Sequence, residues 1–170
     1  DWVYEEEFGV INGWQWSPDG TTIAFYRVDQ TAVPLFPYYV EHSDTHPQVA
    51  WMHYPKAGDP NAQVKIGFVD VATGLVTWAE VEAGAHAYLP RMQWVDSAHV
   101  AIQQLNRAQN DLTLWVVDST TGVRDAFLRE QSATWVDIHY NFRSLDYGSY
   151  LWTSERDGYN HLYRVSGDGK

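Results

Sequence analysis

At 170 residues, 45% of them apolar, the chain is long enough for one ordinary domain with a sizeable core and is not a disordered chain. A net charge of -11 argues against nucleic-acid partners, and the absence of cysteine removes disulfide and thiolate chemistry. No apolar run approaches the roughly 20 residues of a membrane span, and no signal peptide is visible.

The first residues, Asp1-Trp2-Val3-Tyr4, read like the middle of a fold and give the expectation of an excerpt from a longer chain. Residues 1–8 suit a single helical turn, with Asp1 as its cap and acidic residues in its first turn. Within it Glu5-Glu6-Glu7 places three carboxylates side by side, an arrangement tolerated when they are solvated or matched to a cation. One reading is a solvated acidic turn. The other is a site for an ammonium group, since Trp2, Tyr4 and Phe8 flank the acids with aromatic walls.

Two modules then recur. In the first, an aromatic residue and a tight turn precede an alternating strand. Trp16-Ser17-Pro18-Asp19-Gly20 leads to Ile23-Ala24-Phe25-Tyr26, Trp94-Val95-Asp96-Ser97 to Val100-Ala101-Ile102, and Phe142 through Leu145-Asp146-Tyr147-Gly148 to Tyr150-Leu151-Trp152. The second is a hairpin. Residues 64–69 and 76–81 flank Asp70-Val71-Ala72-Thr73-Gly74, residues 112–117 and 123–128 flank Asp118-Ser119-Thr120-Thr121-Gly122, and residues 161–165 run into Ser166-Gly167-Asp168-Gly169. Gly74 and Gly122 lie 48 residues apart, as do Trp94 and Phe142. Two hairpins per repeat make about four strands, the content of one β-propeller blade. The expected fold is therefore all-β: a single partial propeller domain over residues 1–170, of about three four-stranded blades.

Trp16 and Trp94 are 78 residues apart, and the excess over the repeat falls in residues 30–62. Pro34, Pro37, Pro47, Pro55 and Pro60 exclude helix interiors and central strands there, so an extended inserted loop with an edge strand is expected.

Enzyme signatures are mostly missing: there is no Gly-x-Ser-x-Gly, no His-Glu-x-x-His and no phosphate-binding glycine loop. Glu41, His42, Asp44 and His46 have the side chains of a zinc site, but a polar loop accounts for them equally, and no metal or cofactor is expected. His99, His139 and His161 fall within strand patterns and read as ordinary sheet residues rather than catalytic bases.

Six motifs, in order along essentially the whole chain, resemble the dipeptidyl peptidase IV family of serine peptidases. They are Asp1-Trp2-Val3-Tyr4-Glu5-Glu6-Glu7, Trp16-Ser17-Pro18-Asp19-Gly20, Ala32-Val33-Pro34, Tyr54-Pro55-Lys56-Ala57-Gly58, Leu105-Asn106-Arg107-Ala108-Gln109-Asn110, and Ser154-Glu155-Arg156-Asp157-Gly158-Tyr159-Asn160-His161. The resemblance implies an eight-bladed N-terminal propeller joined to a C-terminal α/β-hydrolase domain with a Ser-Asp-His triad, of which nothing is present in these residues. It implies removal of Xaa-Pro or Xaa-Ala dipeptides from peptides with a free N-terminus. It also implies that Glu6 and Glu7 grip the substrate amine, with Glu5 a neighbour. A family arginine that holds the substrate carbonyl would precede Asp1. A family Phe-Arg pair near the extended substrate pocket corresponds to Trp135 and Val136, so Trp135 remains as a wall and the arginine contact is lost. A homodimer is implied for the parent. A periplasmic or secreted home is implied too, a bacterial one fitting best because no Asn-x-Ser/Thr sequon occurs. The alternative from another class is a noncatalytic propeller scaffold for protein partners.

Overall fold

The computed structural model describes residues 1–41, 45–145 and 148–169. One wide helical turn, Val3–Glu7, precedes β1 (Trp14–Trp16), β2 (Thr22–Asp29), β3 (Leu35–Val40), β4 (Gln48–His53), β5 (Gln63–Asp70) and β6 (Val76–Ala83). β7 (Ala87–Trp94), β8 (His99–Asn106), β9 (Asp111–Asp118), β10 (Arg124–Gln131), β11 (Arg143–Leu145), β12 (Ser149–Ser154) and β13 (His161–Ser166) follow. All pairs are antiparallel. They form a four-stranded sheet in the order β1-β2-β5-β6, a second in the order β7-β8-β9-β10, a three-stranded sheet β11-β12-β13, and a separate ribbon β3-β4.

The turns that delimit the strands owe their form to short-range chemistry. The Asp70 carboxylate accepts the Thr73 amide at 2.7 Å while the Gly74 amide reaches the Asp70 carbonyl at 2.8 Å. Forty-eight residues on, Asp118 Oδ1 accepts the Thr121 amide at 2.8 Å and Gly122 N donates to Asp118 O at 2.8 Å. These are two copies of one Asx-type turn, closed by a glycine at positive φ, 72° and 78°.

Sheets stack face to face around one apolar core. Ala24, Ile66 and Phe68 of the first sheet and Leu89, Val100, Ile102 and Leu105 of the second are almost fully buried. The stacking is fastened by side chains that repeat with the blades. Gln15 Nε2 donates to Met92 O at 3.1 Å, from β1 to β7, and Gln93 Nε2 donates to Phe142 O at 2.9 Å, from β7 towards β11. Residues 30–62 are not an open loop: they contain the β3–β4 hairpin, with Pro37 opposite Trp51. A two-stranded ribbon has only edges, which is where proline is tolerated.

Candidate functional site

The helical turn is built as expected, and its cap is Asp1: Tyr4 N donates to Asp1 Oδ1 at 3.1 Å. Its closing bond, Phe8 N to Val3 O at 3.1 Å, spans five residues rather than four, which widens the turn. Tyr4 and Phe8 are buried, and between them Glu5, Glu6 and Glu7 all point to solvent. The turn is fixed to the second sheet at both ends. Leu89 N donates to Tyr4 Oη at 2.9 Å, and Arg91 Nη1 donates to Phe8 O at 2.6 Å. Burial pushes the Tyr4 phenol well above its ordinary pKa, against the smaller opposing effect of the Leu89 amide, so it stays neutral.

Glu7 lines a cleft of about 210 Å³ with Phe8, Gln109, Trp135, Val136, Asp137 and Ile138. Glu7 and Trp135, 128 residues apart in sequence, thus share one wall-and-floor arrangement; Glu6 lies on the exposed turn beside it. Trp135 is 54% exposed, and its indole N–H bonds Asp137 Oδ1 at 2.8 Å. A larger cleft of about 370 Å³ adjoins the same segment. Trp135, Val136 and Asp137 line both, and the larger one continues to Glu130, His139, Trp152 and Arg156. Its floor is a buried carboxylate: Glu130 accepts from Trp152 Nε1 at 3.0 Å and Ser154 Oγ at 2.9 Å and pairs with Arg156.

Gln109, Asp137, Arg91 and Glu130 were not singled out as site residues from sequence. Gln109 carries a signal in hindsight, since it lies in the Asn106–Asn110 motif, where it adopts φ 57° and its carbonyl accepts the Val136 amide at 2.9 Å. Arg91 and Glu130 act over long sequence distances and carry none, and Asp137 is marked only by its place two residues after Trp135. His99 and His161 begin strands and face Asp96 and Asp157 at 3.0 and 2.9 Å. His139, by contrast, lies outside any strand; its Nε2 sits 2.9 Å from Thr153 O, and burial lowers its pKa. The zinc candidate rests on His42 and Asp44, which lie outside the described residues. Among the described residues no group of three or more His, Asp or Glu is arranged to hold a metal. No helix among them is long and apolar enough to cross a membrane.

The family model described as the dipeptidyl peptidase IV (DPP IV) N-terminal region matches residues 1–170. Dipeptidyl peptidase 4 of Sus scrofa is 32% identical over 192 residues, a match covering 99% of this chain and 25% of that protein. Dipeptidyl aminopeptidase B of Saccharomyces cerevisiae is 27% identical over 178 residues, covering 95% of this chain and 22% of the relative. The crystal structure of Porphyromonas gingivalis dipeptidyl peptidase 4 superposes with a TM-score of 0.89 at 32% identity, covering 99% of this chain and 24% of that one. The chain therefore spans about a quarter of the length of these relatives.

Proposed function

This chain belongs to the dipeptidyl peptidase IV N-terminal region family, and from that premise we propose that it is the substrate-recognition part of a dipeptidyl peptidase IV-like serine exopeptidase. The parent enzyme removes Xaa-Pro or Xaa-Ala dipeptides from peptides with a free N-terminus. Residues 1–170 contribute a portion of its propeller domain, and the Ser-Asp-His triad comes from a C-terminal α/β-hydrolase domain outside them. The reaction is acyl transfer through a serine ester. The parent works as a homodimer in the periplasm or as a secreted protein; the exposed aromatic ribbon β3-β4, with Tyr39 74% and Trp51 60% exposed, supports pairing of two copies.

In this reading Glu6 and Glu7 accept the three N–H bonds of the substrate ammonium, and Trp135 lines the cleft beside them. The terminal ammonium is the one cation every such substrate carries, so gripping it distinguishes a chain end from an internal peptide bond. It also fixes the scissile bond at a set distance from a remote nucleophile, which is catalysis by orientation. The observation that carries the reading is that the acidic turn is pinned at Tyr4 and Phe8 while Glu7 opens into a cleft walled by Trp135. A rigid carboxylate loses less entropy on pairing than a mobile one.

The test is kinetics on the full-length enzyme. Glu6→Gln or Glu7→Gln is expected to cost about 2–5 kcal/mol in kcat/KM for Gly-Pro chromogenic substrates, or roughly 1.5 to 3.5 decades, and Glu5→Gln less. The loss vanishes on N-acetylated substrates, which are poor for wild type too. Wild-type activity falls as pH rises through about 8, where the substrate amine loses its proton. Near-wild-type values for both glutamines, or Glu5→Gln as the worst of the three, refute the assignment. The exposure of Glu5 and Glu6 is the observation that favours the second reading, a noncatalytic scaffold. That reading predicts no serine-dependent turnover of Gly-Pro substrates by the full-length wild type.

A further inference from the structure

We propose that Arg91 is a positioning residue for the amine site, a strut that holds the Glu6-Glu7 turn against the wall carrying Trp135; the inference rests on the reading of those glutamates given above. Arg91 lies in β7, and its Nη1 donates to Phe8 O at 2.6 Å and to Pro90 O at 2.7 Å. Phe8 is the residue directly after Glu7. The same guanidinium lies over the Tyr140 ring, with its carbon 4.1 Å from the ring centre. Tyr140 belongs to the irregular segment between β10 and β11 that also carries Trp135 and Asp137. One side chain therefore ties Phe8, which lines the cleft that Glu7 and Trp135 share, to Tyr140 on the segment that continues from its Trp135 wall.

Arg91 is an expensive choice for packing alone. Its Nε is buried without a hydrogen-bond partner among the described residues, and no ion pair with a carboxylate is found for it among them. Desolvation lowers its pKa, so the surroundings disfavour the charge they hold. A methionine would fill the same space against Tyr140 without that penalty. What it would not do is donate to the Phe8 carbonyl or place a positive charge at the carbonyl end of a turn bearing three exposed carboxylates. Lysine is no equivalent either, because only a planar guanidinium can lie on a ring and donate sideways at once.

The other fastenings tell which motion Arg91 prevents. The front of the turn is held separately by Leu89 N on Tyr4 Oη, and the far wall by Val136 N on Gln109 O. Loss of Arg91 leaves both in place and removes only the hydrogen bonds it makes at the Phe8 end, where the Phe8 ring stays packed on Tyr4 and Tyr88 and the backbone gains room to shift. The turn then pivots about Tyr4, and the carboxylates closest to Phe8 move most. Glu7 and then Glu6 are displaced, and Glu5 least.

The experiment uses the full-length enzyme, a Gly-Pro p-nitroanilide substrate and a small serine-directed reagent that carries no amine. Arg91→Met is expected to lower kcat/KM by about 10²-fold, the scale of an ångström of misplacement, chiefly through KM. The rate of labelling by the amine-free reagent stays at the wild-type value, which a general loss of fold would not allow. In a Glu7→Gln background the same substitution costs less than about tenfold, because only Glu6, which moves less, is left to place. Tyr140→Leu removes the ring from the strut while leaving both carbonyl bonds; it gives a smaller loss with the same dependence on Glu7, and it carries the cycle if Arg91→Met does not fold. An unchanged kcat/KM in these variants, or a loss as large in the Glu7→Gln background as in wild type, overturns the inference. Wild-type activity of Glu7→Gln itself strikes instead at the amine-site reading on which it rests.

Discussion

At the scale of single residues, the repeated turns show how one sequence signal does two different jobs. Gly74 and Gly122 close the same turn at positive φ, 72° and 78°. A Cβ on Gly74 would meet nothing within 4 Å, whereas one on Gly122 would lie 2.1 Å from the carbonyl oxygen of Trp78 on the neighbouring sheet. There the Gly122 carbonyl also accepts the Glu80 amide at 2.9 Å. Gly74→Ala should therefore cost only the left-handed penalty, about 1 kcal/mol, while Gly122→Ala adds an overpacked sheet contact and costs about 2–4 kcal/mol in all. Urea unfolding midpoints of the full-length variants test the difference; equal effects would mean the sheets can slide apart at no cost. The aspartates of the same turns contribute to the acid sensitivity of the fold. The Thr73 hydroxyl and amide hold Asp70 below the usual carboxylate range, and the Thr121 amide does so for Asp118. A depressed folded pKa means that the stabilisation is complete above the unfolded value, about 3.9, and is lost as pH falls through the folded one. Stability measured by urea midpoint should be flat above about pH 5 and fall below about pH 4, with a shallower fall in the double variant Asp70→Asn/Asp118→Asn. A steeper fall in that variant would contradict the assignment.

Among elements, what could be read in advance divides by range. The strands and their turns were legible because Asp-x-x-x-Gly closes within five residues and the apolar runs lie between such turns. The insert was only half legible: proline at 37 argued for an edge, but the pairing of β3 with β4 needed the partner strand. Simple alternation also failed where burial is two-sided. In β8, Val100, Ala101, Ile102 and Gln103 are consecutively buried because a sheet stacked on both faces has no solvent side. At the candidate site, Glu7 sits in a recognisable motif, whereas Trp135 follows only from its spacing to the motif that begins at Ser154. Arg91 and Glu130 were not legible, because Arg91 meets Phe8 across 83 residues and Glu130 meets Arg156 across 26. Glu130 joins β10 to the third sheet through Trp152, Ser154 and Arg156 and is nearly excluded from water. Glu130→Gln turns an amide N–H towards these donors, so it should cost about 2–3 kcal/mol. Arg156→Met should add little on top of it, because the buried charge it served has gone. Additive effects in that double variant, read from thermal unfolding, would mean the three donors do not act through Glu130.

For the whole molecule, the decisive asymmetry is between two equivalent tryptophans. Trp94 in β7 is tucked against the first sheet, its indole N–H on Gln15 O at 3.2 Å and its ring 6.3 Å from Phe68. Trp16 holds the matching place in β1 and is 47% exposed. Strand register puts Trp14, Trp16, Val76 and Trp78 on one face of the first sheet, Trp14 opposite Phe25 and Trp78 opposite Gly67, and all four are exposed by 40% or more. Each later sheet instead presses a turn glycine on the sheet before it, Gly122 on Trp78 O and Gly169 on Phe127 O, while Gly74 of the first sheet meets nothing. An apolar face of this kind is unstable in water as a free surface and invites a second sheet. Residues 1–170 produced alone should therefore self-associate, and, lacking a nucleophile elbow, should not hydrolyse a Gly-Pro chromogenic substrate. Sedimentation velocity over a dilution series reads the first expectation. Trp14→Lys with Trp16→Lys should shift the boundary to the monomer if this face is responsible. A wild-type segment that stays monomeric at every concentration would show that the exposed face is tolerated as it stands, and serine-dependent turnover by the segment alone would remove the need for a separate hydrolase domain.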